Sequence, residues 1–160
     1  MALPTPPSDP KELLGWLADR AAISDLIVEN ARCLDARDWE SFRDIWVEDA
    51  RLAVPGLALE GRDELVGVVS SPESLPQWDA TQHLTAPPQI HLDGDTATAR
   101  VNFLSVHVRD ASKPHKHSTG SGWYDCEFRR TPDGWRYTSS EVTPVWIVGT
   151  DLPGGPYPED

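Results

Sequence analysis

Cysteine is nearly missing from this chain. Its two copies, Cys33 and Cys126, lie far apart, and neither has the neighbouring Cys that a zinc or dithiol redox motif needs, so both read as reduced core residues. Positive charge is also scarce: 14 Lys and Arg stand against 26 Asp and Glu, a formal net charge of −12. Such a surface repels phosphate backbones and anionic membranes, which argues against nucleic-acid and membrane partners. No apolar run approaches the roughly 18 residues that a bilayer-crossing helix needs. The N-terminus MALPTPPSDP lacks the basic segment and apolar core of a secretory leader, so a soluble, cytoplasmic protein is expected. Internal repeats are absent too. The one hint of a metal site, His115 and His117 at i and i+2, has no third ligand nearby and reads as an exposed turn. Neither a metal nor a cofactor is expected.

What the chain does have is a high count of tryptophan, seven in 160 residues. That many large aromatics either fill a big core or line a cavity for a flat apolar ligand, and the count does not choose between them. The length suits one domain that buries about two-thirds of its unfolded surface. Residues 1–10 carry four prolines and read as a flexible lead-in, 11–149 as the domain, and the Pro/Gly-rich 150–160 as a surface tail.

Helical periodicity begins after Pro10. Leu13, Leu14, Leu17 and Ala21, then Ile23, Ile27 and Ala31, predict one long helix to about residue 36, or two joined near Ala18. A second helix is expected over about 38–46, capped by Asp38, with Trp39, Phe42, Ile45 and Trp46 inward. Short extended runs at 51–54 and 57–59 flank Pro55-Gly56 as a hairpin, and a third helix opens at Gly61 and runs to about Val69. Four long strands follow, at about 79–92, 95–109, 118–131 and 134–149. Helices first and a strand meander afterwards predict an α+β domain in which a cone-like, curved antiparallel sheet packs against the N-terminal helices and encloses a pocket.

Three titratable residues draw attention within this frame. Ile27, Ala31 and Asp35 advance by four, which points the Asp35 carboxylate along the apolar stripe. The helix dipole and burial would both raise its pKa toward that of a general base; a solvated turn carboxylate is the alternative. In VNFLSVH (101–107), His107 continues the inward series Ala97, Ala99, Val101, Phe103, Ser105. In TQHLT (81–85), His83 shares a face with Thr81 and Thr85, and alternation alone leaves open which face is buried.

Several runs together resemble a known family: ADRAAISDL (18–26), LDARDWESFRDIWVEDA (34–50), GRDEL (61–65), TQH (81–83) and DGWRY (133–137). They resemble SnoaL-like proteins of the nuclear transport factor 2-like superfamily over about residues 15–148. The resemblance implies the cone-like fold and an Asp–His pair in its cavity, as in the scytalone dehydratase and hexachlorocyclohexane dehydrochlorinase members. Asp35 and His83 match that pair, and His107 matches a second histidine of the dehydratase. Where the dehydratase has two tyrosines this chain has Leu34 and Val54; Tyr124 stands near its cavity Asn, and Ser140 near the dehydrochlorinase's Arg. The substrates of those enzymes are therefore not implied.

The resulting expectation is a cofactor-independent lyase or isomerase, dehydratase-like, acting on a small apolar cyclic substrate. Asp35, His83 and His107 are the catalytic candidates: His83 as base, Asp35 orienting its ring and His107 giving a proton to the departing oxygen, with the roles of the two histidines left exchangeable by the sequence. Tyr124, Trp39, Phe103 and Phe128 are candidates to bind the substrate. A polyketide cyclase closing a ring through an aldol step needs nearly the same residues. A non-catalytic ligand-binding cone needs none of them for turnover. The resemblance also implies a homodimer or homotrimer formed through the outer sheet face.

Overall fold

In the computed structural model, residues 4–149 are described; the predicted tail at 150–160 and the first three residues of the lead-in lie outside the described residues. Helix α1 (Pro10–Ala36) is a single helix. Asp9 starts it by accepting from the Lys11 and Glu12 amides, with Pro10 at a position where no amide is needed. It is followed by α2 (Trp39–Asp44), β1 (Trp46–Val54), β2 (Leu57–Glu60) and α3 (Arg62–Val69). After a short 3-10 turn at Leu75–Gln77 the chain is strand: β3 (Ala80–Thr85), β4 (Gln89–Asp93), β5 (Thr96–Val108), β6 (His117–Thr131) and β7 (Gly134–Gly149).

Three helices pack on one curved, unclosed sheet of seven strands in the order β2-β1-β7-β6-β5-β3, with β4 also on β5. Two corrections to the expected layout follow. The sheet is mixed, because β1 runs parallel to β7 while every other pair is antiparallel. β1 reaches β7 from the helical half of the chain, so no tight turn dictates its direction. The expected strand at 79–92 is two strands on the same edge of β5, since Pro87 and Pro88 interrupt the ladder between them. The second helix is also shorter than expected, and Trp46 opens β1 instead of closing α2.

The inner face of β5 buries Ala97, Ala99, Val101, Phe103 and Ser105 in strict alternation, as the sequence pattern predicts. Ala97, Ala99 and Val101 join Ile23 and Ile27 of α1, Phe42 of α2, Leu65 of α3 and Phe128 of β6 in the core. An ionic cluster ties α1 to the far end of the sheet: Arg130 binds Asp19 through two nitrogens at 2.8 and 2.7 Å, and the Trp135 indole donates to Asp19. The outer face is different. Leu84, Leu104, Ser121 and Trp146 stand in one row across β3, β5, β6 and β7, and Leu84, Leu104 and Trp146 are all exposed.

Candidate active site

Helix α1 ends where the site begins. Arg37 adopts the left-handed conformation (φ 59°) that closes the helix, a position most often filled by glycine. That turn places the Asp35 carboxylate against β3, where it accepts four hydrogen bonds. The His83 ring Nδ1 lies 2.7 Å from Oδ1, the His83 backbone amide donates at 2.8 Å, the Thr81 hydroxyl at 2.9 Å and the Gln82 amide at 3.1 Å. Alternation on β3 resolves accordingly: Thr81, His83 and Thr85 face inward, while Ala80, Gln82 and Leu84 are exposed. With Nδ1 held by Asp35, Nε2 is the ring nitrogen available to the cavity.

Burial raises the Asp35 pKa, but the hydrogen bonds from the His83 ring and backbone, with help from Thr81, outweigh it and hold the carboxyl below its ordinary range. This corrects the expectation that Asp35 itself is tuned toward a general base. It is an anchored anion whose geometry fixes His83.

His107 projects from β5 on the same inner face. Its ring centroid lies 5.3 Å from that of His83 at 87°, and 5.3 Å from that of Trp78. Burial, then the neighbouring His83, pushes its pKa down to about 4, so at neutral pH it is an uncharged imidazole. An uncharged imidazole offers one N–H to donate and one ring nitrogen to accept, and holds no imidazolium proton to give. Tyr124 stacks on Phe103 at 4.4 Å, and burial raises its hydroxyl pKa, which keeps the phenol protonated.

These side chains open on a cavity of about 460 Å³. Leu34, Leu52, Val69 and Phe103 give it apolar walls, and His83, His107 and Tyr124 also line it. No Lys, Arg, Asp or Glu lines it among the described residues. Of the predicted site residues the structure thus gathers Asp35, His83, His107, Tyr124 and Phe103. Two expected substrate contacts are elsewhere. Phe128 is buried in the core against Tyr137, nearer the closed end of β6, and Trp39 packs edge-on against Phe42 outside the cavity wall.

Other residues of the site were not foreseen. Arg37 donates to Leu34 O, to Thr81 Oγ1 at 2.8 Å, and to the carbonyls of Leu75 (3.1 Å) and Trp78 (3.2 Å), which fastens the 70–79 segment over the cavity. Trp78, 8% exposed, is held between His107 on one side and the Arg109 guanidinium, 4.6 Å from its ring. Asn30 and Trp46 line the inner wall. The sequence did carry a signal for Asn30, a polar residue on the stripe of Ile27 and Leu34. For Arg37 the signal was a charged residue at the end of a long helix, and it is weak.

Comparison with known proteins agrees with this fold. The SnoaL-like domain family matches residues 16–141. Uncharacterized proteins of Mycobacterium tuberculosis and Mycobacterium bovis are each 29% identical over 121 residues, 75% of this chain and 81% of theirs. Among solved structures, hexachlorocyclohexane dehydrochlorinase LinA-type3 from Novosphingobium barchaimii superposes with a TM-score of 0.74 at 19% identity, covering 92% of this chain and 99% of that one. A scytalone dehydratase-like protein from Novosphingobium aromaticivorans gives 0.76 at 18%, covering 86% and 91%. An NTF2-like protein with a cystatin-like fold from the same organism gives 0.67 at 29%, covering 84% and 88%.

Proposed function

This chain belongs to the SnoaL-like family, and from that premise we propose that it is a cofactor-independent lyase or isomerase acting on a small, neutral, largely apolar cyclic molecule. The observation that carries this reading is the 2.7 Å contact between His83 Nδ1 and Asp35 at the edge of an apolar cavity. A base oriented by a carboxylate contributes about 10²–10⁴-fold to a proton transfer. The cavity wall carries no fixed charge among the described residues, which favours a substrate that is neutral until the transition state. Two of the structural neighbours are named for eliminations, a dehydrochlorination and a dehydration, which supports the same reaction class.

The step runs as follows. His83 Nε2 takes a proton from a carbon next to a carbonyl, and the C–H electron pair passes into an enolate. The enolate oxygen accepts hydrogen bonds from the neutral His107 and from the Tyr124 hydroxyl. Asp35 stabilises the imidazolium. Expulsion of a hydroxyl from the next carbon forms the C=C bond; that hydroxyl takes the proton back from His83 and leaves as water. Return of the proton to a different carbon would instead give isomerisation.

The test is turnover on a panel of cyclic β-hydroxyketones, followed by the ultraviolet absorbance of the enone. His83→Gln and Asp35→Asn should each lose about a hundredfold or more in kcat/KM while still unfolding cooperatively. Folded variants that keep their rate within about threefold would refute the proposal and favour a cone that only binds.

A further inference from the structure

Two residues that line the cavity each carry a polar atom with no evident use in that reaction. The Trp46 indole nitrogen and the Asn30 side-chain oxygen are both buried and have no hydrogen-bond partner among the described residues. Both residues line the cavity. Trp46 is 2% exposed, and its ring is fixed by stacking on Tyr137 at 4.7 Å and by edge contact with Phe42 at 6.0 Å. Its N–H therefore has one direction and can only donate. The indole buries an unpaired donor that a purely apolar side chain would not, a cost that a ligand oxygen at this N–H would offset.

The position of the pair is as informative as its chemistry. Asn30 lies five residues before Asp35 on α1, about 7.5 Å along the helix axis. Trp46 pairs with Tyr137, Tyr137 with Phe128 and Phe128 with Ala97, whereas His83 and His107 are level with Ser105 and beyond on the same β5 strand. The reacting histidines and the indole thus mark opposite ends of one cavity. A third unpartnered atom, Ser118 Oγ, sits directly across from His107 and belongs to the reacting end.

We infer that Trp46 and Asn30 recognise the substrate, and that this substrate is an oxygenated ring compound which, away from the reacting carbon, presents an oxygen to the Trp46 N–H and a hydroxyl hydrogen to Asn30 Oδ1. The inference rests on the proposed reaction, which places the substrate in this cavity with its reacting carbon at His83. It excludes hydrocarbon and halogenated rings as preferred ligands, since neither satisfies both atoms. An analogue lacking the oxygen removes water from the wall and returns no hydrogen bond, and affinity falls accordingly.

Isothermal titration calorimetry with 5-hydroxy-1-indanone, 5-methoxy-1-indanone and 5-methyl-1-indanone tests this without any need for turnover. The wild-type protein should bind the hydroxy compound about tenfold or more tightly than the methyl compound, with the methoxy compound between them because it accepts but cannot donate. Trp46→Phe and Asn30→Leu should each bring the hydroxy-to-methyl ratio to about threefold or less, while His83→Gln leaves it unchanged. A wild-type ratio near one, a ratio that survives both wall substitutions, one that disappears in His83→Gln, or failure of all three probes to bind would overturn the inference. Loss of turnover in His83→Gln bears only on the reaction, and the wild-type ratio only on the wall, so the two proposals fail separately.

Discussion

Replacing His107 by glutamine should make the protein less sensitive to acid. The ring is held between Trp78 and His83, and its pKa of about 4 lies well below the ordinary histidine value of 6.5. Burial is the main cause, the His83 and Arg37 charges add to it, and Asp35 opposes it. A depressed folded-state value means that, as pH falls, the unfolded chain takes up this proton first. The associated stability is present in full above the unfolded value and is lost as pH drops from about 6.5 through about 4. A gap of about two and a half pH units corresponds to roughly 3 kcal/mol, of which about 2 should already be gone at pH 5. Urea unfolding followed by tryptophan fluorescence at pH 7.5, 6 and 5 measures it. With an m-value of about 2 kcal/mol/M, the wild-type midpoint should fall by about 1 M more than that of His107→Gln between the end points. The His107 ring resonances should also stay unchanged by NMR down to about pH 5. Parallel pH profiles for the two proteins, or a His107 midpoint above about 6, would refute the reasoning and restore an imidazolium as the proton donor at neutral pH.

Asp35→Asn turns one of the two carboxylate oxygens, each of which accepts two hydrogen bonds, into an NH2 donor and removes the charge; it should cost about 2–3 kcal/mol at pH 7, read from urea midpoints, and a change below about 0.5 kcal/mol would mean the carboxylate does not organise this corner. Because its folded-state pKa is lowered, that difference should persist above the ordinary carboxylate range and shrink as pH falls through it. Arg37→Ala should release the 70–79 segment, seen as faster amide exchange at Leu75 to Trp78 with α1 itself still protected; unchanged exchange there would refute the fastening role. At Gly122 an added Cβ would collide with the Thr143 carbonyl oxygen and lie 2.8 Å from Pro144 Cα, so Gly122→Ala should destabilise by about 2–3 kcal/mol or more, and a neutral effect would argue against the β6–β7 bulge. For the expected dimer or trimer, Trp146→Glu on the exposed row with Leu84 and Leu104 should shift sedimentation toward the monomer, and a wild-type protein that already sediments as a monomer would refute that expectation.

The parts of this molecule that could be read from sequence are those where one periodicity decides a residue's environment. The β5 alternation placed His107 inside because five small or apolar residues at every second position leave no other face for the core. The i, i+4 stripe pointed Asp35 the same way at the end of α1 but left a solvated turn carboxylate as the alternative, which the contacts to β3 exclude. His83 was undetermined, since β3 is a short edge strand with Leu84 exposed on one face and threonines on the other; only pairing to β5 and the reach of Asp35 resolve it. The parallel pairing of β1 with β7, the split at Pro87 and Pro88, and the contacts of Arg37 across 38 to 44 residues are products of long-range packing, and no local pattern encodes them. Trp39 and Phe128 misled because an inward-facing aromatic residue can fill the core as readily as it lines a cavity.

The sign of Asp35's perturbation has a consequence for the chemistry. The helix dipole and burial, taken alone, predict a carboxyl easily protonated at the end of α1. Hydrogen bonds from His83 and Thr81 reverse that, and the four donors to the carboxylate come from three consecutive residues of one strand: Thr81, Gln82 and His83. One backbone amide and three side chains of β3 therefore hold the carboxylate, and the carboxylate holds the imidazole, so neither side chain can change rotamer without breaking the bond between them. His107 on the neighbouring strand stays neutral partly because any charge on it would face His83 across 5.3 Å. In the proposed reaction one histidine would thereby carry the transient positive charge, while burial and its neighbour keep the other from carrying one. This division of labour makes a concerted exchange of roles between them unfavourable, and it would be lost if Asp35 were moved to the side of His107.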